Sequence, residues 1–279
     1  RDGPVAEMYR LHVSAALDAS AKEGREIGCL LMEPVLLGAG GMQLVDPLFQ
    51  ATLVQECRAR SIPVIYDEVF TGLWRLGTES ASHIIGEKPD VAVYSKLLTG
   101  GFAPMAVTLA SSHVFECFAS NSKAEALLHG HSYTGYPIGC AAATHALQRY
   151  KDASQYDAKT NRMREFWDDA TADALSRLPH VNAVMSIGTV FAVELNPDEG
   201  HSGGYGAKSQ LTARVVARLR AAGIFARPLG NVVYIMCSPV TTRGESDALL
   251  ARFAKIVREG VNNADGVEQQ QQAQGASQG

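Results

Sequence analysis

Asp90-Val91-Ala92-Val93-Tyr94-Ser95-Lys96-Leu97-Leu98-Thr99-Gly100-Gly101 is the stretch on which the reading of this chain turns. An apolar β-type run ends in Ser-Lys and breaks into glycine, so a strand delivers one ammonium group to its C-terminal end ahead of a flexible loop. Upstream, Ile62-Pro63-Val64-Ile65-Tyr66 ends as abruptly in Asp67-Glu68, and the interval from Glu68 to Pro89 is long enough for a crossover helix. Two neighbouring parallel strands then present Asp67 and Lys96 at one sheet edge, the edge at which open α/β sheets bind ligands.

A carboxylate and a lysine held near each other suit the chemistry of pyridoxal 5'-phosphate. A lysine bonds to the cofactor aldehyde, and an aspartate keeps the pyridine nitrogen protonated so that the ring can draw electrons. The plainer reading of the same spacing is a strand-end lysine at Lys96 and a helix N-cap at Asp67.

The flanking residues resemble a family. Tyr66-Asp67-Glu68-Val69-Phe70-Thr71-Gly72, Arg75-Leu76-Gly77, Pro89-Asp90 and Ser95-Lys96 through Gly101 are similar in wording and order to the class III, fold-type I aminotransferases. His129-Gly130-His131-Ser132-Tyr133-Thr134-Gly135-Tyr136-Pro137 resembles the phosphate loop of that family, and Arg227-Pro228 followed by Asn231-Val232-Val233-Tyr234 continues the likeness. The resemblance covers roughly residues 27 to 258.

Within the family, three segments are most similar to the diaminopelargonate aminotransferases of biotin synthesis, in the form fused behind dethiobiotin synthetase in plants and fungi. They are Glu33-Pro34-Val35 before Gly38-Ala39-Gly40-Gly41-Met42, Leu73-Trp74-Arg75-Leu76, and Phe225-Ala226-Arg227-Pro228-Leu229-Gly230. Gly72-Leu73-Trp74-Arg75 departs from the Gly-Phe-Gly-Arg of many class III enzymes, which argues against the ornithine and acetylornithine members.

The resemblance implies the roles of single residues. Asp67 would face the pyridine nitrogen, and Lys96 would bond to pyridoxal phosphate and then act as the base on the donor's α-carbon, a task that needs a lowered pKa supplied by burial and nearby positive charge. Val69 would lie under the ring, where an ordinary core valine is the alternative. Ser132 would offer a hydroxyl and an N–H to the phosphate, from a loop that in the family comes from the partner subunit of a homodimer; the alternative is a turn serine. Arg227 would grip a substrate carboxylate with both prongs, or else form a structural ion pair, and Arg75 would line the entrance or brace the Asp67 loop.

The expected reaction passes an amino group from S-adenosylmethionine to 7-keto-8-aminopelargonate. Two other readings stand beside it: another class III ω-amino acid aminotransferase or aminomutase, and a non-catalytic dimerisation module. The family's upstream phosphate turn and ring-stacking aromatic are not found here, nor is a phosphate-loop motif of a synthetase domain, so the expectation is the C-terminal portion of a longer enzyme.

Composition restricts the class. With 279 residues, 46% hydrophobic and 19% charged, the chain can bury a sizeable core. A net charge of -4 gives no reason to expect nucleic acid or an anionic membrane as partner, and no apolar stretch approaches the ~20 residues of a membrane helix. Cys29, Cys57, Cys117, Cys140 and Cys237 lack any Cys-x-x-Cys spacing and read as reduced thiols, and His129 and His131 have no third metal ligand at a useful spacing. The first residues carry no recognisable targeting signal, so the compartment is not written there; the likeness to the plant and fungal form points to mitochondria.

The pattern predicts an α/β fold, a mainly parallel sheet with helices on both faces, followed by a smaller α+β domain. Helices are expected over 5–22 (Met8, Leu11, Ala15 and Ala19 on one face), 46–60, 137–151, 155–178, 209–222 and 244–259, and strands over 27–32, 62–66, 90–94, 105–110, 181–187, 189–195, 224–227 and 231–237. Residues 1–152 are read as part of the cofactor-binding domain, 153–262 as the small domain, 196–207 as a mobile loop and 263–279 as a disordered Gln-rich tail.

Overall fold

The computed structural model describes residues 3–198, 206 and 208–276, with 263–276 as backbone alone. Two compact units result: the first comprises 3–37, 44–152 and 158–162, and the second 38–43, 153–157 and the residues from 163 onward. The loop expected at 196–207 lies mostly outside the described residues.

In the first unit, α1 (Pro4–Lys22) opens with proline in its first turn, where a missing N–H costs nothing. The stripe Met8, Leu11, Ala15 and Ala19 lies on its exposed side, with Leu11 63% accessible. The packed side instead carries Val13 and Tyr9, whose ring meets Phe49 edge-on at 5.3 Å. After β1 (Leu30–Met32) and the two-residue strands β2 (Leu36–Leu37) and β3 (Gln43–Leu44), the chain enters α2 (Pro47–Ala59). Asp46 caps this helix by accepting the Leu48 N–H at 2.8 Å.

Next come β4 (Val64–Asp67), α3 (Ser82–Ile85), β5 (Val91–Tyr94), β6 (Val107–Ala110), α4 (Ser112–Glu116) and α5 (Pro137–Lys151). The sheet order is β1-β4-β5-β6, the first three strands parallel and β6 antiparallel to β5. An α/β layer of this kind agrees with the expected fold class; the departure is the edge strand β6, expected within the parallel alternation and found reversed.

The expected crossover helix between β4 and β5 is reduced to the single turn α3. Leu73 and Trp74 adopt left-handed backbone, and their N–H groups go to Glu79 and Thr78 carbonyls at 2.8 Å, so this segment satisfies its backbone with a tight turn. Burial of Trp74 holds the turn in place.

The second unit holds β9 (Val181–Ile187), β10 (Val190–Leu195), β11 (Arg227–Leu229) and β12 (Val232–Met236) in an antiparallel sheet ordered β11-β12-β10-β9. Where one helix is expected over 155–178, the chain forms β7 (Tyr156–Asp157), β8 (Arg162–Met163) and then α6 (Asp169–Ser176). Asn161 takes a left-handed turn, and Asp168 starts the helix afresh by accepting from Thr171 N at 2.8 Å.

The helices α7 (Gln210–Ala221) and α8 (Arg243–Ala276) complete this unit. As backbone, α8 runs through most of the segment read as a disordered tail. Gln and Ala are good helix formers, and they propagate a helix already nucleated by its packed first half. Phe191 of β10 and Phe253 of α8 are fully buried and meet edge-to-face at 5.9 Å, with Trp167 against Phe191 at 5.8 Å. Phe253→Ala should therefore cost about 3–5 kcal/mol in a urea melt, as for other core aromatics cut to alanine.

Candidate active site

Parallel pairing of β4 and β5 sets the geometry of the site. The ladder runs Ile65↔Val91, Tyr66↔Ala92, Asp67↔Val93, so Asp67 sits at the last rung and Lys96 three residues beyond it on the neighbouring strand. Both leave the sheet at the same C-terminal edge. Half-buried Asp67 accepts the Val69 N–H on Oδ1 at 3.0 Å, which orients the carboxylate and starts the turn after the strand.

Lys96 begins a 3-10 turn, Lys96–Thr99, with φ of 47°, in the left-handed region that a side chain with Cβ rarely adopts. Three hydrogen bonds hold this turn: Ser95 Oγ to the Met105 carbonyl at 2.7 Å, the Tyr150 hydroxyl to the Leu97 carbonyl at 2.8 Å, and Thr99 Oγ1 to the Ala103 carbonyl at 2.6 Å. Gly100 closes the turn at φ 62°, where a Cβ would also press on the Tyr150 hydroxyl at 3.3 Å.

Asp67 and Lys96 carry opposite charges on adjacent strand ends, yet no ion pair within 4.0 Å joins them, and neither has another charged partner among the described residues. The Lys96 ammonium instead lies 5.7 Å from the centre of the Phe70 ring, and the guanidinium of buried Arg75 lies 5.4 Å from the same ring. Asp67, Val69, Arg75 and Lys96 are thus gathered at one place, with Phe70 shared between the two cations. Lys96 is exposed, so burial by the described residues does not supply the environment expected of it, whereas a nearby positive charge is present in Arg75.

Ser132 and Arg227 stand on other segments, Ser132 before α5 and Arg227 in the second unit. Ser132 is exposed in the connection before α5, whose neighbouring residues His131, Tyr133, Thr134, Gly135 and Tyr136 line an open cavity of about 860 Å³ with the segment 104–108. Arg227 is exposed at the start of β11 in the second unit, not at the end of a strand as its position suggests.

Glu68 was not singled out by sequence, and it is the most buried charged side chain of the site, 1% accessible. Its carboxylate accepts from Ser80 Oγ at 2.6 Å, Ala81 N at 2.8 Å and the Tyr94 hydroxyl at 2.9 Å. Burial raises its pKa, against the opposing pull of these hydrogen bonds, and burial likewise raises the Tyr94 hydroxyl. Gly72 makes room for the Tyr94 ring, which a Cβ would meet at 2.6 Å. The signal was present in strand parity: Val64 and Tyr66 are buried, and Glu68 continues their face.

A flat cofactor with a protonated ring nitrogen and an aldehyde fits this donor set: an unpaired carboxylate for the nitrogen and an unpaired amine for the aldehyde, both reachable from solvent.

Residues 6–257 match the family model described as Aminotransferase class-III. The chain belongs to this family. The bifunctional dethiobiotin synthetase/7,8-diamino-pelargonic acid aminotransferase, mitochondrial, of Oryza sativa subsp. japonica is 49% identical over 259 residues, covering 91% of this chain and 31% of the relative. The adenosylmethionine-8-amino-7-oxononanoate aminotransferase of Synechococcus elongatus is 32% identical over 248 residues, covering 88% of this chain and 55% of the relative.

Among solved aminotransferases, the omega transaminase from Pseudomonas jessenii in complex with PMP superposes with a TM-score of 0.76 at 26% identity, over 92% of this chain and 56% of that one. The adenosylmethionine-8-amino-7-oxononanoate aminotransferase from Methanocaldococcus jannaschii superposes at 0.73 and 25% identity, over 90% and 57%. The chain therefore spans about a third of the bifunctional relatives and about half of the others.

A group whose pKa is raised on folding stabilises most below its unfolded pKa and loses that contribution as pH rises. For Glu68 the loss begins above the ordinary glutamate value of 4.5. Glu68→Gln should remove this part of the pH dependence, so that urea midpoints fall less between acid and neutral pH than in the unmodified chain.

Proposed function

We propose that this chain carries the cofactor-bonding lysine and the ring-nitrogen aspartate of a pyridoxal-phosphate-dependent aminotransferase, which passes an amino group from S-adenosylmethionine to 7-keto-8-aminopelargonate in biotin synthesis. The observation that supports it most is that the β4–β5 register, ending at Asp67↔Val93, brings Asp67 and Lys96 to one sheet edge while their charges stay unpaired. Two opposite charges left apart on adjoining strands can be bridged by a zwitterionic ring.

When bound, pyridoxal phosphate supplies the electron sink for the donor carbon. The chain's residues do the rest. Asp67 would hold the proton on the ring nitrogen, because a carboxylate at that position favours the charged form. Lys96 Nζ would hold the cofactor through its aldehyde and, as the amine, would take the α-proton of the donor; Phe70 lies beside this ammonium at 5.7 Å.

Val69 offers an apolar side chain beside Asp67. Ser132 offers a hydroxyl and a backbone N–H to a phosphate, and in a homodimer it would serve the partner's site. Arg227 offers a planar fork to a substrate carboxylate. By the same reading, 1–152 belongs to the large cofactor-binding domain and 153–262 to the small domain. Partners are small-molecule substrates and a second copy, and the relatives named mitochondrial favour that compartment.

A second reading, an ω-amino acid transaminase of different substrate range, is favoured by the likeness to the Pseudomonas jessenii enzyme. Offering each amino donor and recording which one converts bound cofactor to its amine form separates the two.

The central assignment is tested by adding pyridoxal phosphate, reducing with borohydride and mapping the adduct by mass spectrometry. The expected adduct sits on the peptide containing Lys96 and disappears in Lys96→Ala. An adduct spread over surface lysines with none on Lys96 would overturn the reading. Asp67→Asn should weaken cofactor affinity about 10- to 100-fold, the scale of a lost hydrogen bond to a charged group.

A further inference from the structure

The ladder between β4 and β5 stops at Asp67↔Val93, and past it Tyr94 pairs only with Val107 of β6, so no backbone pairing joins β4 to β5 beyond that rung, although both charged groups of the site lie at or past it. The next link across the two strands is made by side chains. Glu68, one residue after Asp67, receives the hydroxyl of Tyr94, two residues before Lys96. Its other two bonds, from Ser80 and Ala81, fasten the same carboxylate to the crossover segment, so it cannot follow β5 if β5 drifts.

Burying a carboxylate is costly, and an apolar side chain of like volume would fill the space as well. What such a side chain could not do is join the two strand ends. We propose that Glu68 is a positioning residue, whose bond to Tyr94 sets the gap between the Asp67 carboxylate and the Lys96 ammonium.

Lys96 needs this support because its backbone is strained. With φ at 47° the turn is not held by regular secondary structure, and it relaxes unless both flanks are pinned. Tyr150 pins the far flank through the Leu97 carbonyl; on the near flank Ser95 Oγ ties the turn to the Met105 carbonyl, and the Glu68–Tyr94 bond ties it to β4. The inference rests on the cofactor reading above for its importance to chemistry, though not for the mechanical tie itself.

Two measurements on the whole chain test it. In Tyr94→Phe the ring keeps its place against Gly72 and only the hydroxyl is lost. Amide hydrogen exchange of the peptide spanning residues 94–101 should then speed up severalfold while that of β1 and β4 stays unchanged. In the second measurement, pyridoxal phosphate and borohydride are applied over a series of pH values, with Lys255, 75% exposed in the second unit, as internal reference.

Trapping at Lys96 should fall about tenfold relative to Lys255, as expected when a reacting group is misplaced by a fraction of an ångström, and its pH profile should shift. Glu68→Gln, with Tyr94 intact, should keep trapping within about twofold of the unmodified chain, since the amide can exchange the same bonds with hydroxyls that turn to accept. Unchanged exchange in Tyr94→Phe, or equal loss of trapping at Lys96 and Lys255, would overturn the proposal. Absence of any Lys96 adduct in the unmodified chain would instead overturn the cofactor reading, and the exchange measurement would still decide the tie.

Discussion

Everything in the first unit depends on the parallel alignment of two four-residue strands. Val64 and Tyr66 bury one face of β4 and Ala92 the matching position of β5, and the register that buries them places Asp67 opposite Val93. A slip by one residue would turn Tyr66 to the other face and carry Asp67 and Glu68 with it. The apolar side of the sheet therefore decides where the charges emerge.

The strained turn at Lys96 stands against that regular frame. A left-handed residue with a side chain costs on the order of 1–3 kcal/mol and persists only where the surroundings over-determine it. Here they do: Ser95 and Thr99 bond back to the chain that leads into β6, Tyr150 reaches from α5 to the Leu97 carbonyl, and Gly100 absorbs the change of direction. The lysine is thus lifted out of the sheet on a support built from α5 and the segment that leads into β6.

What sequence revealed and what it concealed follow from the range of the interactions. The strands β1, β4, β5, β6, β9, β10 and β12, the cap at Asp46, the proline start at Pro137, and the emergence of Asp67 and Lys96 at one sheet edge were legible because each depends on local pattern: alternation, a capping carboxylate, proline in a first turn, glycine after lysine. The crossover at Leu73 and Trp74 was not, since its left-handed backbone is held by buried Trp74 and by bonds to Thr78 and Glu79 that no periodicity announces. Residues 155–178 read as one helix on composition, and a single left-handed Asn161 with a fresh cap at Asp168 divided them. The clustering of Arg75 and Lys96 around Phe70 depends on how that crossover folds, so it too was hidden.

Asp67 and Glu68 are the same functional group one residue apart, and strand alternation sends them to opposite environments. Glu68 enters the interior, takes three hydrogen bonds and is spent on structure. Asp67 stays half-buried with a single local bond, so most of its capacity to accept remains for a ligand. A carboxylate that must meet a cofactor cannot be tied down by many protein donors without losing that capacity, and one that is untied wanders. Dividing the two demands between adjacent residues resolves the conflict: the buried acid fixes the strand ends, and the half-buried acid inherits their rigidity while keeping an oxygen free.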